Sequence, residues 1–85
     1  MKPERADLDA IVADADRIDE IEGELRDLER GVRGHARRFG HDRFVSDALA
    51  TEARCLARDA DSLLLRSEHL RQIALRLADG KEGRS

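Results

Sequence analysis

Leucine returns every seven residues through the second half of the chain, at Leu49, Leu56, Leu63, Leu70 and Leu77. Four residues after each of the first four stands a small side chain: Ala53, Ala60, Ser67 and Ala74. A heptad row with a second row four residues on marks one face of a long helix, with large and small residues alternating along it. The first half follows a related plan. Ile11, Ile18, Leu25 and Val32 recur every seven residues, and Ile21 and Leu28 fill positions three later. Both halves therefore carry the kind of stripe by which helices pack lengthwise. Asp14 stands three residues after Ile11, where that stripe calls for an apolar group, and predicts that the seam frays there. Gly23 falls on a solvated side and costs roughly 1 kcal/mol against Ala without ending the pattern.

The stripes lapse between about Gly31 and His41, where Gly31, Gly34 and Gly40 surround a basic stretch, and three glycines so close together mark a turn. Pro3 suits a first helical turn, and Glu4, Asp7 and Asp9 are acids where the helix dipole favours them. Asp42 is a good N-cap for the second helix, with Ser46 as the alternative if that helix starts later. Gly80 is placed to supply a left-handed cap at its end. The predicted organisation is one helical-hairpin domain over 1–85. It has a helix at about 4–32, a Gly/Arg-rich elbow at about 33–42, a helix at about 43–79 and a polar tail at 80–85. One short connection makes the helices antiparallel, so the fold class is all-α.

The small residues of the second helix should leave shallow holes for the Ile and Leu of the first and let the helices approach closely. Several apolar residues remain outside that seam. Phe44, Cys55 and Ile73 lie to one side of the leucine row, Leu64, Ala57 and Leu75 to the other, and Leu65 is nearly opposite. A core two helices thick seldom stabilises so short a chain alone. Phe44, Cys55, Leu64, Leu65, Ile73 and Leu75 are therefore the candidate partner interface. The simplest assembly is a four-helix bundle, made as a homodimer or as a heterodimer with another helical protein.

Composition agrees with helices. Charged residues are 41% of the chain and hydrophobic ones 40%, with two Phe and no Trp or Tyr, a balance typical of long helices and coiled coils. Disorder is the competing reading for so charged a chain, but the periodic apolar rows argue against it. Fourteen of the sixteen basic residues are Arg, which points to a GC-rich bacterial genome. A lone Cys55 excludes an intrachain disulfide and reads first as a small hydrophobe. No apolar run is long enough to span a membrane and no signal-peptide core follows Met1. The expected location is the cytoplasm, and any export would use a route that reads a folded helix rather than a cleaved leader.

The net charge of −3 provides no global field for nucleic acid or an acidic membrane. Charge is nonetheless segregated: residues 4–29 hold eleven acids and three bases, and residues 30–43 hold five Arg and one acid. Helix-dipole complementarity accounts for this arrangement. A second reading makes Arg37 and Arg38, with Phe39 and Gly40, part of a basic elbow that docks an acidic partner or a phosphate. Nucleic acid would want a longer basic surface or aromatic platforms. His35, His41, His69 and Cys55 have no zinc-site spacing, so neither a metal nor another cofactor is expected. The small all-helical chorismate mutases invite comparison, but their active site needs a mid-chain lysine, and Lys2 and Lys81 sit at the termini. No nucleophile–base pair or phosphate loop can be drawn either, so no enzymatic activity is expected.

At the elbow the chain reads Arg38-Phe39-Gly40-His41-Asp42-Arg43-Phe44. An aromatic-Gly turn between two long Ala/Leu-rich antiparallel helices, over residues 6–79, resembles the helical-hairpin proteins of type VII (ESX) secretion. It is similar to their Phe-Gly variants rather than to the Trp-x-Gly members. The chain has no Trp-x-Gly, and without Tyr it cannot carry that family's export signal, a Tyr followed four residues later by an acid. The resemblance implies pairing with a second hairpin as a partner, targeting or chaperone subunit, with Phe39 packing the elbow. The alternative is a cytoplasmic coiled-coil regulator or adaptor, of immunity or anti-activator type, that masks a target.

Overall fold

A computed structural model describes the backbone of residues 4–83 and the side chains of residues 4–79. Two helices make up the architecture, α1 over Arg5–Arg38 and α2 over Arg43–Gly83, packed along their lengths as a helical hairpin. The rod measures 67 × 16 × 13 Å. That length is close to the roughly 60 Å that 41 residues of α-helix span at about 1.5 Å each. Pro3 lies outside the described residues. The backbone N–H of Glu4 donates to Asp7 Oδ2 at 3.3 Å, so α1 starts on an acid in its first turn.

The elbow is shorter than the glycines suggest. α1 continues through Gly31 and Gly34 to Arg38 and leaves only Phe39–Asp42 between the helices. Ion pairs spaced for a helix carry it up to and across Gly31, Asp27 with Arg30 just before it and Glu29 with Arg33 spanning it. Arg37 and Arg38 then place positive charge in the last turn, where the dipole favours it. A methyl group at Gly31 or Gly34 would meet nothing within 4 Å. Gly31→Ala and Gly34→Ala should each raise stability by up to about 1 kcal/mol, read as a higher melting temperature. Gly40 behaves differently, because a Cβ there would lie 3.2 Å from the Arg37 carbonyl oxygen.

The turn closes through backbone bonds. Phe39 N–H donates to His35 O at 3.0 Å, Gly40 N–H to Arg37 O at 3.2 Å and Asp42 N–H to Phe39 O at 3.0 Å. Asp42 caps α2 by accepting the Val45 N–H at 3.2 Å. Ser46, the alternative cap, instead donates its hydroxyl to Ala36 O at 2.9 Å and stitches the first turn of α2 to the end of α1. At the far end α2 runs through Gly80 to Gly83, and no described glycine has a positive φ. The expected left-handed cap at Gly80 is therefore absent, and residues 80–83 of the expected tail are helical.

The seam is built on small residues from both helices. Ala53, Ala60 and Ser67 are fully buried and Ala74 nearly so, while Leu49, Leu56, Leu63 and Leu70 are half-buried. On α1 the facing row is Ala15, Glu22, Glu29 and Ala36, again every seven residues. Ala15 is fully buried, Ala36 nearly so, and the Glu22 and Glu29 side chains are largely covered. This corrects the expectation for α1. The second inward row lies four residues after Ile11, Ile18, Leu25 and Val32, not three. Asp14 is exposed and does not interrupt the seam, because Ala15 occupies the inward position. Leu28 is 57% exposed and lies outside the seam altogether. An alanine with no exposed surface in a molecule two helices thick must be covered by the opposite helix and its flanking side chains, which requires the two helices to pack closely.

Candidate interaction surface

The two flanks of the hairpin differ. Around α2 the rows follow in order: Ile73's row, the leucines, the small residues, then the row of Leu64 and Arg71. Every ion pair between the helices among the described residues lies beside the small rows. Arg71 donates to Asp16 Oδ1 at 2.7 Å and Asp19 Oδ2 at 2.6 Å, and Arg26 donates to Asp61 Oδ1 at 2.9 Å. This is the ion-paired flank. The large rows tip the other way, towards an open flank that also carries Ile21, Leu28, Cys55 and Ile73.

Asp19 is the most constrained acid of the ion-paired flank. Its hydrogen bond from Arg71 holds its carboxyl below the usual carboxylate range despite some desolvation. Hydrogen bonds to Asp19 and then Asp16 raise the Arg71 guanidinium above its ordinary value. Ser67 has one hydroxyl proton, donated to Leu64 O at 2.9 Å, and Asp19 Oδ1 is buried without another partner. Turning the hydroxyl towards Asp19 would satisfy that oxygen. A lowered pKa in the folded state contributes stability that is present above the unfolded value of about 3.9 and is lost as pH falls through the folded value. Urea midpoints measured from pH 7 to pH 2 should therefore fall on the acid side. Asp19→Asn should be less stable at neutral pH and show a shallower acid loss.

The six candidate interface residues are all exposed on the hairpin but divide among three faces. Cys55 is a free, exposed thiol on the open flank, where Ile73 is 50% exposed. Leu64 and Leu75, 39% and 64% exposed, stand on the ion-paired flank. There Leu75 joins Leu8, Val12 and Ala78 in an apolar notch at the rod's open end. Phe44 and Leu65 face away from α1. At the elbow Arg37, Arg38 and Gly40 are exposed. Phe39 ends the Ile11 row, partly covered, with its ring centroid 6.1 Å from that of His41.

Missing from the expected set are Ile21 and Leu28 and the outward edges of the large rows. Leu28 and Val32 line a shallow groove beside Gly31 and His35. The signal that could have found them is the i+4 row on α1: once Ala15, Glu22, Glu29 and Ala36 face α2, Ile21 and Leu28 must turn towards the open flank. Among the described residues no His, Cys, Asp or Glu cluster is arranged to hold a metal, and no helix is long and apolar enough to cross a membrane. Compared with protein-family models, curated proteins and solved structures, the chain matches none of them.

Proposed function

We propose that this chain is a non-enzymatic interaction protein whose open flank is covered by another helical hairpin. The observation that carries this reading is the asymmetry of the two flanks. Ion pairs close one side of the seam, while the other presents half-buried Ile and Leu rows next to exposed Leu28 and Ile73. The surface area points the same way. A globular chain of 9.6 kDa exposes about 5,100 Å², whereas this one exposes 6685 Å². The surplus, about 1,600 Å², exceeds the roughly 800 Å² per partner that a standard interface removes.

The setting we propose is type VII secretion, with the chain as a partner, targeting or chaperone subunit for a second hairpin. The Phe39-Gly40 elbow between long antiparallel helices supports that setting. The test is export of the helical protein encoded beside this chain, in cells with and without it. Export should stop when the chain is removed and return when it is supplied. Unchanged export would contradict the proposed setting.

A further inference from the structure

The open flank carries two heptad rows with a symmetry of their own. On α1 the row is Asp14, Ile21, Leu28 and His35; on α2 it is Glu52, Asp59, Arg66 and Ile73. Each points out of the plane of the hairpin, away from the ion-paired flank. Along α2 the acids come first and the base follows, with Arg76 adding a positive group beside Ile73. Among the described residues neither Asp59 nor Arg66 takes part in an ion pair.

The midpoints of the two rows lie at one level of the rod. One falls between Ile21 and Leu28 and the other between Asp59 and Arg66. The cross-helix pair Arg26–Asp61 lies within two residues of both. A two-fold axis at that level, perpendicular to the rod, turns each row onto its own copy in reverse. Asp59 then faces Arg66 of the second copy and Arg66 faces its Asp59. On α1, Ile21 meets Leu28 of the second copy, and Asp14 meets His35. Pairing with the rods parallel would instead lay α2 over α1 of the second copy and set Asp59 against Leu28 and Arg66 against Ile21, burying both charges without partners.

The ends of the rod agree. Residues 30–54, at the elbow, hold six Arg against three acids, whereas residues 4–20 and 66–79, at the open end, hold nine acids against five Arg. Antiparallel pairing brings each elbow to the other copy's open end, and a two-fold axis closes the assembly at two chains.

The geometry points to a second copy of this chain as the occupant of the open flank, bound antiparallel about an axis near Ser62 into a four-helix bundle. This rests on the reading of that flank as a partner face and names the partner. Asp59–Arg66 pairs, two per dimer, set the register, and the Ile21–Leu28 contacts and the large rows supply the apolar core.

Charge reversal and cross-linking test it on the full 85-residue chain. Asp59→Arg and Arg66→Asp should each weaken dimerisation by about tenfold or more, since each sets two like-charged pairs face to face. The double reversal D59R/R66D should return it to within about threefold of the original. Circular dichroism should show unchanged helicity in all three, because both side chains are exposed. In a Cys55→Ser background, Ser62→Cys should oxidise readily to a covalent dimer. Cys55 in the unaltered chain should not, because its own copy would lie roughly 22 Å away along the antiparallel pair, beyond the ~7 Å reach of a disulfide. Cross-linking of Cys55 as efficient as that of Ser62→Cys, or a double reversal no tighter than the singles, would overturn the arrangement. A chain that stays at 9.6 kDa alone yet binds a different hairpin would also overturn the second copy as partner, and would leave the interaction reading standing.

Discussion

Ala60→Leu should lower the melting temperature by on the order of 5–20 °C. Ala60 has no exposed surface, in the middle of the small row that packs against α1. The added atoms have no void to enter, so either the helices separate or side chains leave their preferred rotamers, at a cost of about 1–3 kcal/mol. In a chain this size each kcal/mol is worth roughly 4–8 °C. Separation would also loosen the flanking pairs, because the Arg26–Asp61 bond at 2.9 Å depends on the same spacing. Ala13→Leu adds the same bulk on the exposed outer face of α1 and should melt close to the unaltered chain. An Ala60→Leu protein that melted with the unaltered one would mean that the small row does not set the spacing of the helices.

Leu28→Glu combined with Ile73→Glu should reduce partner binding by at least about a hundredfold while helicity survives. Both residues are at least half exposed on the hairpin, so charge there costs the isolated fold little. In a bundle both would be buried, and two unpaired carboxylates per chain would have to be desolvated at the interface, at several kcal/mol. Leu65→Glu is the control. Leu65 is 54% exposed but faces away from α1 and off the open flank, so its change should leave binding nearly intact. Titration of the variants against the partner, with circular dichroism on each, separates the outcomes. Collapse of helicity in the double variant would show that Leu28 or Ile73 belongs to the hairpin's own core.

Much of the fold was legible because heptad spacing survives into the structure unchanged. The leucine and alanine rows of α2 fall where their spacing puts them, and Asp42 caps the helix as its chemistry suggests. The misreadings share a physical cause. On α1 the choice between Ile21–Leu28 and Ala15–Glu22–Glu29–Ala36 as the second inward row turns on which residues are apolar, and two glutamates argue against the latter. Those glutamates are tolerated at the seam's edge because Arg26 and Arg33, four residues on, pair with their carboxylates. Gly31 and Gly34 read as a turn since glycine disfavours helix, yet the Glu29–Arg33 pair across Gly31 and the seam packed as far as Ala36 outweigh about 1 kcal/mol apiece. For the interaction surface, individual exposed residues such as Ile73 and Leu65 could be named from the wheel. Which of them share a face could not, because that depends on the direction of α1 as seen from α2.

Coverage of the open flank by a second hairpin, as proposed, is tested most directly by sedimentation equilibrium of the 85-residue chain, alone and mixed with the helical protein encoded beside it. The expected result is a particle of two hairpins, twice 9.6 kDa for the chain alone. A fully helical monomer of 9.6 kDa in both samples, across micromolar concentrations, would contradict the account.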